Sequence, residues 1–325
     1  MVSIKLNKYY ICIIMKIIDL DNIKLNKNDI NQIEDLELKI IEYLNSGSYG
    51  DVYVCLLNDK KCVLKMSNNE DPILLKKRYK ELKKKIEGKI IKIYCSGRIL
   101  NDHKYKYYCI MKYGGSNLKK YIYEPEIDIN IILKKMYEMV NIIKDNKVLI
   151  PDLKLSNLTF HNNELYLIDY FIECESYNPC RDCKIIRTYS TFDLSSGIFY
   201  DESYNYSYIY VLFGFCLIEL LCYRGLNSIH KEMKKKYGDI DFKKFILLIQ
   251  ITSYKFFNLK EKYPDEYLIN LSKKNSSRFY GDFLNHIEVL DQYKNIISTE
   301  DFKELLNNIL IPIPTERKID NKIFK

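Results

Sequence analysis

Residues 148–171, VLIPDLKLSNLTFHNNELYLIDYF, constrain this chain more than any other stretch. Asp152, Lys154 and Asn157 fall within six residues, and Asp169 follows after two short, largely apolar runs at 158–161 and 165–168. Asn162, Asn163 and Glu164 separate the runs. Asparagine tolerates the left-handed backbone of a tight turn, so the runs read as a hairpin of two strands. Such a hairpin returns Asp169 to the loop that carries Asp152 and Asn157. Two carboxylates, a carboxamide and an ammonium then share one pocket, the groups that a divalent cation and a phosphate chain require.

The chain has 325 residues, enough for one bilobal unit or two small domains. Hydrophobic residues at 47% and charged residues at 29% fit a soluble globular protein. The net charge of +8 is spread without a Gly/Arg-rich or long basic tail, so no nucleic-acid partner is expected. Trp is absent and Tyr occurs 30 times, while Lys, Asn and Ile are also common. These four abundant types share A/T-rich codons, so single Tyr, Asn or Lys residues carry little weight. The early apolar run at 9–15 is cut by Lys16 with no small-residue cleavage site, and the longest, 208–218, falls short of a membrane span. Ten cysteines form no regular framework. Cys174, Cys180 and Cys183 cluster with only His161 as a plausible fourth ligand, so free thiols are expected rather than zinc. The expectation is a reducing, intracellular and cytoplasmic setting without a membrane partner.

Along the chain, residues 39–44 read as a strand entering a glycine-containing turn, Asn45-Ser46-Gly47-Ser48-Tyr49-Gly50-Asp51-Val52. Two strands joined this way lay backbone N–H groups over phosphates without Cβ interference. A strand closes at Cys62-Val63-Leu64-Lys65, a basic helix spans 71–87, and strands are expected near 90–94 and 105–112. Ile129, Ile132, Leu133, Met136, Val140 and Ile143 recur at helical spacing and lead into the acidic loop. Residues 208–223 are apolar on every face apart from Glu219, which predicts a buried helix. An amphipathic helix is predicted over 299–309.

The spacing D-x-K-x-x-N, with an Asp twelve residues later, resembles the catalytic loop and metal-binding segment of eukaryotic-type protein kinases. That family reads H-R-D-L-K-x-x-N and D-F-G; here stand Ile150-Pro151-Asp152-Leu153-Lys154-Leu155-Ser156-Asn157 and Asp169-Tyr170-Phe171. The turn at 45–52 resembles the family's G-x-G-x-x-G-x-V loop, with Asn45 in place of the first glycine. Cys62–Lys65 resembles V-A-I-K by rank in the chain. The resemblance implies an α+β, bilobal protein-kinase-like fold with a small antiparallel-sheet N-lobe (38–112), a larger helical C-lobe (113–325) and an N-terminal extension (1–37).

The resemblance also implies roles. Asp152 would accept the substrate hydroxyl proton, and Lys154 would neutralise charge on the moving phosphoryl group. Asn157 and Asp169 would hold Mg2+ or Mn2+. ATP would lie against Asn45, Gly47, Ser48, Tyr49, Gly50 and Val52. Lys65 would reach the phosphates, paired with Glu81. Met111 occupies the gatekeeper position, and backbone around Tyr113 would meet adenine. Thr188 and Thr191 are candidates to position the substrate. Lys two residues after the catalytic Asp is the serine/threonine pattern, so the implied activity is ATP-dependent phosphorylation of protein Ser/Thr hydroxyls.

The departures are specific. Ile150 and Pro151 replace His-Arg, Phe171 replaces a glycine, and Ile209 stands where the family has the Asp that braces the catalytic loop. No A-P-E acid for Arg317 is evident, and 224–298 is helical but longer than the family's stretch. Without the Arg before Asp152, activation-loop phosphorylation is not expected to be required. The alternatives are a pseudokinase scaffold or binding module with the same fold, and a small-molecule kinase of the aminoglycoside or choline type. Lys154 and the Gly47/Gly50 loop argue against the last. The composition and Leu167-Ile168-Asp169-Tyr170 resemble divergent viral kinases, including the vaccinia-related group.

Overall fold

Cys62, Leu64 and Met66 are fully buried, whereas Val63 and Lys65 between them are only partly covered. That two-residue period is the mark of a strand with one face on a core. In the computed structural model the described residues are 2–6, 9–13, 38–47, 50–57, 59–68, 72–98, 106–121, 128–170, 189, 206–253, 278–311, 314–319 and 324. The chain divides into two compact units, with the change falling between Gly115 and Ser116.

In the first unit, strands β1 (Val2–Leu6) and β2 (Tyr9–Ile13) form an antiparallel hairpin, and β1 lies alongside β3 (Leu38–Gly47). With β4 (Gly50–Leu57), β5 (Lys60–Ser67), β6 (Ile93–Arg98) and β7 (Tyr107–Lys112), β3 builds a five-stranded antiparallel sheet in the order β3-β4-β5-β7-β6. One face carries the core: Leu38, Tyr53, Cys55, Cys62, Leu64, Met66, Cys95, Tyr108 and Ile110. Burial pushes the Cys55 thiol up to about 12 and the Cys62 thiol up to about 11, so both act as small apolar side chains. Helix α1 (Pro72–Lys85) opens on a proline, whose missing N–H costs nothing at a first helical position. Leu75, Tyr79 and Leu82 make its buried stripe against β6 and β7, and Ile86 just past its end is buried as well.

One expected element moves. The strand expected near 90–94 begins at Ile93 and runs to Arg98. Gly88 at φ +74 turns the chain, and Ile90 and Ile91 are buried in the connection rather than within the strand. Their apolar run imitates a strand because a buried connection needs the same residues.

The second unit starts with β8 (Ser116–Asn117) and the single turn α2 (Leu118–Tyr121). Helix α3 (Ile129–Asp145) follows, its first turn capped by Asp128 Oδ1, which accepts from Asn130 N–H at 2.9 Å. Strands β9 (Leu158–His161) and β10 (Glu164–Leu167) pair with β8 in the order β10-β9-β8. Helices α4 (Tyr208–Leu221), α5 (Leu226–Tyr237), α6 (Phe242–Thr252), α7 (Phe279–Asn285) and α8 (Thr299–Ile309) complete it. Every residue of α4 except Glu219 is buried, and α3, α5 and α8 pack around it. Helix α8 is capped by Ser298 Oγ, which accepts from Asp301 N–H at 3.1 Å, and buries Phe302, Leu305, Leu306 and Ile309. The chain is thus α+β, with an antiparallel sheet in its N-terminal part and helices in its C-terminal part. Among the described residues, no helix is long and apolar enough to cross a membrane.

Glu219 is the polar exception on α4. Its Oε1 accepts from Leu226 N–H at 2.9 Å, capping the first turn of α5. Burial nevertheless raises its carboxyl pKa, outweighing that hydrogen bond and the charge of Lys119. A carboxyl that holds its proton more tightly when folded contributes stability below its unfolded pKa and loses it as pH rises through the folded value. Glu219→Gln keeps the accepting oxygen and removes the buried charge. It is expected to raise Tm by about 2 °C at pH 7.5 and leave it unchanged at pH 4, read by thermal denaturation at both pH values.

Candidate active site

Helix α3 ends at Asp145, and Val148 N–H returns to Ile143 O at 3.0 Å. From there the loop alternates. Leu153 and Leu155 are buried, whereas Asp152, Lys154 and Ser156 remain partly exposed. Two leucines anchor the segment while the polar residues between them project outward. Lys154 Nζ lies 2.7 Å from Asp152 Oδ2, with side chains 26% and 19% exposed respectively. That is a charge-assisted hydrogen bond within a residual contact with solvent.

Asn157 closes a short 3₁₀ turn, Leu155–Asn157, its N–H bonding Lys154 O at 2.9 Å. Its buried carboxamide Nδ2 donates to Asp152 O at 3.0 Å and lies 3.4 Å from Asp152 Oδ2. The hairpin then brings in the fourth group. Its two-residue turn has Asn162 at φ +51 and Asn163 at φ +59, and His161 pairs with Glu164. Two positive φ values match the twist of the flanking strands, as asparagine permits. Ile168 N–H donates to Asn157 O at 2.9 Å, so Asp169 sits one residue from the junction of the two segments. Asp169 itself is exposed at φ +55, an uncommon conformation for any residue but glycine.

The predicted nucleotide-binding residues lie in the first unit. Val52 pairs with Lys65 and Lys65 with Cys109; Val54 pairs with Val63 and Val63 with Met111. Directly paired residues share a face, so these two rungs put Val52, Lys65, Val63 and Met111 on the face opposite the core. The Lys65 ammonium stands there beside apolar side chains. Asn45 pairs with Val52, and Gly47 with Gly50, at the head of the β3–β4 hairpin. Ser48 and Tyr49 lie outside the described residues, as do Thr188, Thr191 and the cysteines at 174, 180 and 183. Glu81 lies on α1 with Oε2 3.8 Å from Arg78 Nη1. Tyr113 receives Lys61 Nζ over its ring at 4.1 Å.

Two further residues matter that the sequence does not single out, Tyr208 and Tyr189, and the structure gives Arg317 its partners. Tyr208, the first residue of α4, accepts from Ile150 N–H at 2.6 Å and donates to Val148 O at 3.1 Å. Tyr189 is buried with its ring 5.4 Å from that of Phe215. Burial, with Cys216, Glu219 and Asp152 nearby, pushes its hydroxyl pKa up. Arg317 is buried, donating to Ile311 O at 2.6 Å and to Ser207 Oγ at 3.3 Å. A hydroxyl and a carbonyl are among the groups that hold this guanidinium. No local pattern singles out Tyr208, because its partners lie on a distant segment of the chain.

The donor set suits a hard cation. Asn157 and Asp169 offer oxygens only, which magnesium prefers. Among the described residues, no three His, Cys, Asp or Glu side chains gather to hold a metal on their own. Magnesium commonly binds through one or two side-chain oxygens together with substrate phosphates, and the pair here fits that pattern. The chain matches no model of a known protein family and no curated protein.

Proposed function

We propose that this chain is an ATP-dependent serine/threonine protein kinase of divergent, bilobal type, with a protein substrate. The observation that carries the reading is the Asp152–Lys154–Asn157 constellation, tied at 2.7 and 3.0 Å, with Asp169 one residue beyond the Ile168 N–H that bonds Asn157 O. Bound ATP would supply the γ-phosphoryl group, and magnesium, which Asn157 and Asp169 would hold, would screen its charge. Asp152 orients the acceptor hydroxyl and takes its proton at a carboxylate oxygen. Lys154, already 2.7 Å from Oδ2, offers its charge to the transferring group. Asn157 fixes the loop through the Asp152 carbonyl while its own oxygen stays available to the cation. Lys65, standing among valines and a methionine, pairs with the phosphates, and the apolar side chains beside it give the adenine ring a dry wall.

The test is transfer from ATP with magnesium or manganese to casein, myelin basic protein and the protein itself, with phosphosites mapped by mass. Ser/Thr labelling supports the reading. Thermal stabilisation by ATP and metal without transfer moves it to a nucleotide-binding pseudokinase, and labelling of small alcohols alone moves it to a small-molecule kinase. Lys65→Met is expected to lower transfer about a hundredfold by removing one fixed charge from the phosphates. It should leave Tm within about 3 °C, because the position is partly exposed and flanked by apolar residues.

A further inference from the structure

We propose that Tyr208 is a positioning residue: its hydroxyl clamps Val148 and Ile150 and thereby fixes the backbone that aims Asp152. The proposal rests on the phosphoryl-transfer reading for its catalytic consequence, though not for the clamp itself. One hydroxyl makes both bonds, accepting from Ile150 N–H at 2.6 Å and donating to Val148 O at 3.1 Å. Tyr208 is 0% exposed, and Val148 and Ile150 are each 2% exposed, so water does not compete for these groups. A core tyrosine needs one partner to be satisfied. Here it takes two from alternate residues of one segment, so it sets the local conformation as well as satisfying itself.

The path from clamp to carboxylate is short and stiff. Only Pro151 separates Ile150 from Asp152, and proline fixes its own φ and restricts the residue before it. A second support comes two helical turns along α4, where Cys216 Sγ lies 3.9 Å from Leu153 O. The helix therefore grips the loop on both sides of Asp152, while Asn157 holds the Asp152 carbonyl. The loop has lost the polar residues of the related pattern at 150 and 151. A tyrosine from the buried helix and a proline in the loop supply the rigidity instead.

The experiment compares Tyr208→Phe with Tyr210→Phe, using hydrogen exchange of the backbone amides and steady-state kinetics on the full chain. Tyr210 lies on the same helix and also spends its hydroxyl on a hydrogen bond, to Asn141 Oδ1 at 2.7 Å, away from the loop. Tyr208→Phe keeps the ring and its packing. Exchange at Ile150 is expected to accelerate about tenfold or more, with exchange at Ile168 unchanged. The kcat is expected to fall about tenfold with the KM for ATP within twofold, the signature of a misaimed group rather than of lost nucleotide binding. Tyr210→Phe should change neither quantity. Unchanged Ile150 exchange in Tyr208→Phe overturns the clamp. Faster exchange with unchanged kcat, or an equal fall of kcat in Tyr210→Phe, overturns the positioning role. A wild-type chain without transfer overturns the kinase reading and with it the positioning role, while the exchange comparison still decides the clamp.

Discussion

Asp152→Asn is expected to reduce phosphoryl transfer about a thousandfold or more while ATP and magnesium still raise the melting temperature. A positioned base contributes about 10²–10⁴ in rate, and the carboxamide cannot take the hydroxyl proton. The substitution is close to isosteric, so the packing of Leu153 and Leu155 beneath it has no reason to change. It does remove one ionic contact of Lys154. With side chains 26% and 19% exposed, that pair is partly solvated, so its loss costs about 1 kcal/mol rather than the 3–5 kcal/mol of a fully buried pair. The carboxamide oxygen can still accept from Lys154 Nζ. The measurement pairs a transfer assay with a thermal scan with and without ATP and metal. Transfer that persists in the variant removes Asp152 from the chemistry. A collapse of Tm without ligand would instead make Asp152 a structural residue of the loop.

What was legible in the sequence was local. Helix α8 runs over 299–309, as its pattern predicts, because Ser298 caps it and Phe302, Leu305, Leu306 and Ile309 fall on one face. The hairpin at 158–167 was legible because Asn162 and Asn163 are the residues its turn demands. That hairpin also explains how the backbone next to Asp169 returns to Asn157, through Ile168 N–H and Asn157 O. The two-residue strand Ser116–Asn117 was not legible, since it exists only because β9 presents an edge to pair with. Tyr208 was missed for a similar reason. Its partners lie 58 and 60 residues earlier, and among 30 tyrosines nothing local marks one as special. Periodicity finds faces, and turn chemistry finds reversals. Neither finds a hydroxyl that reaches across to another element.

Gly50→Ala is expected to have the largest effect on stability, about 3 kcal/mol or more against the first unit. Gly50 sits at φ +138, a region that side chains rarely adopt and that alone costs about 1–3 kcal/mol. An added Cβ would also lie 1.8 Å from Met66 O and 2.8 Å from Met66 C. Those are backbone atoms of β5, so no rotamer change relieves the overlap, and the β4–β5 register must shift. Asp51 pairs with Met66 and Val52 with Lys65 in the adjoining rungs, so the shift displaces the lysine assigned to the phosphates. Transfer should therefore fall together with stability. Gly88→Ala separates the two causes. Gly88 also has positive φ, +74, but nothing lies within 4 Å of its added Cβ, so only backbone strain of about 1–2 kcal/mol is expected. Urea denaturation followed by proteolytic protection of residues 38–112 reports the first unit directly, where a single Tm for two units would not. A loss for Gly50→Ala no greater than for Gly88→Ala would show that β5 yields at Met66 and that the glycine is not required for close approach. A clearly larger loss, with transfer falling in step, ties the turn at the head of β4 to the placement of Lys65.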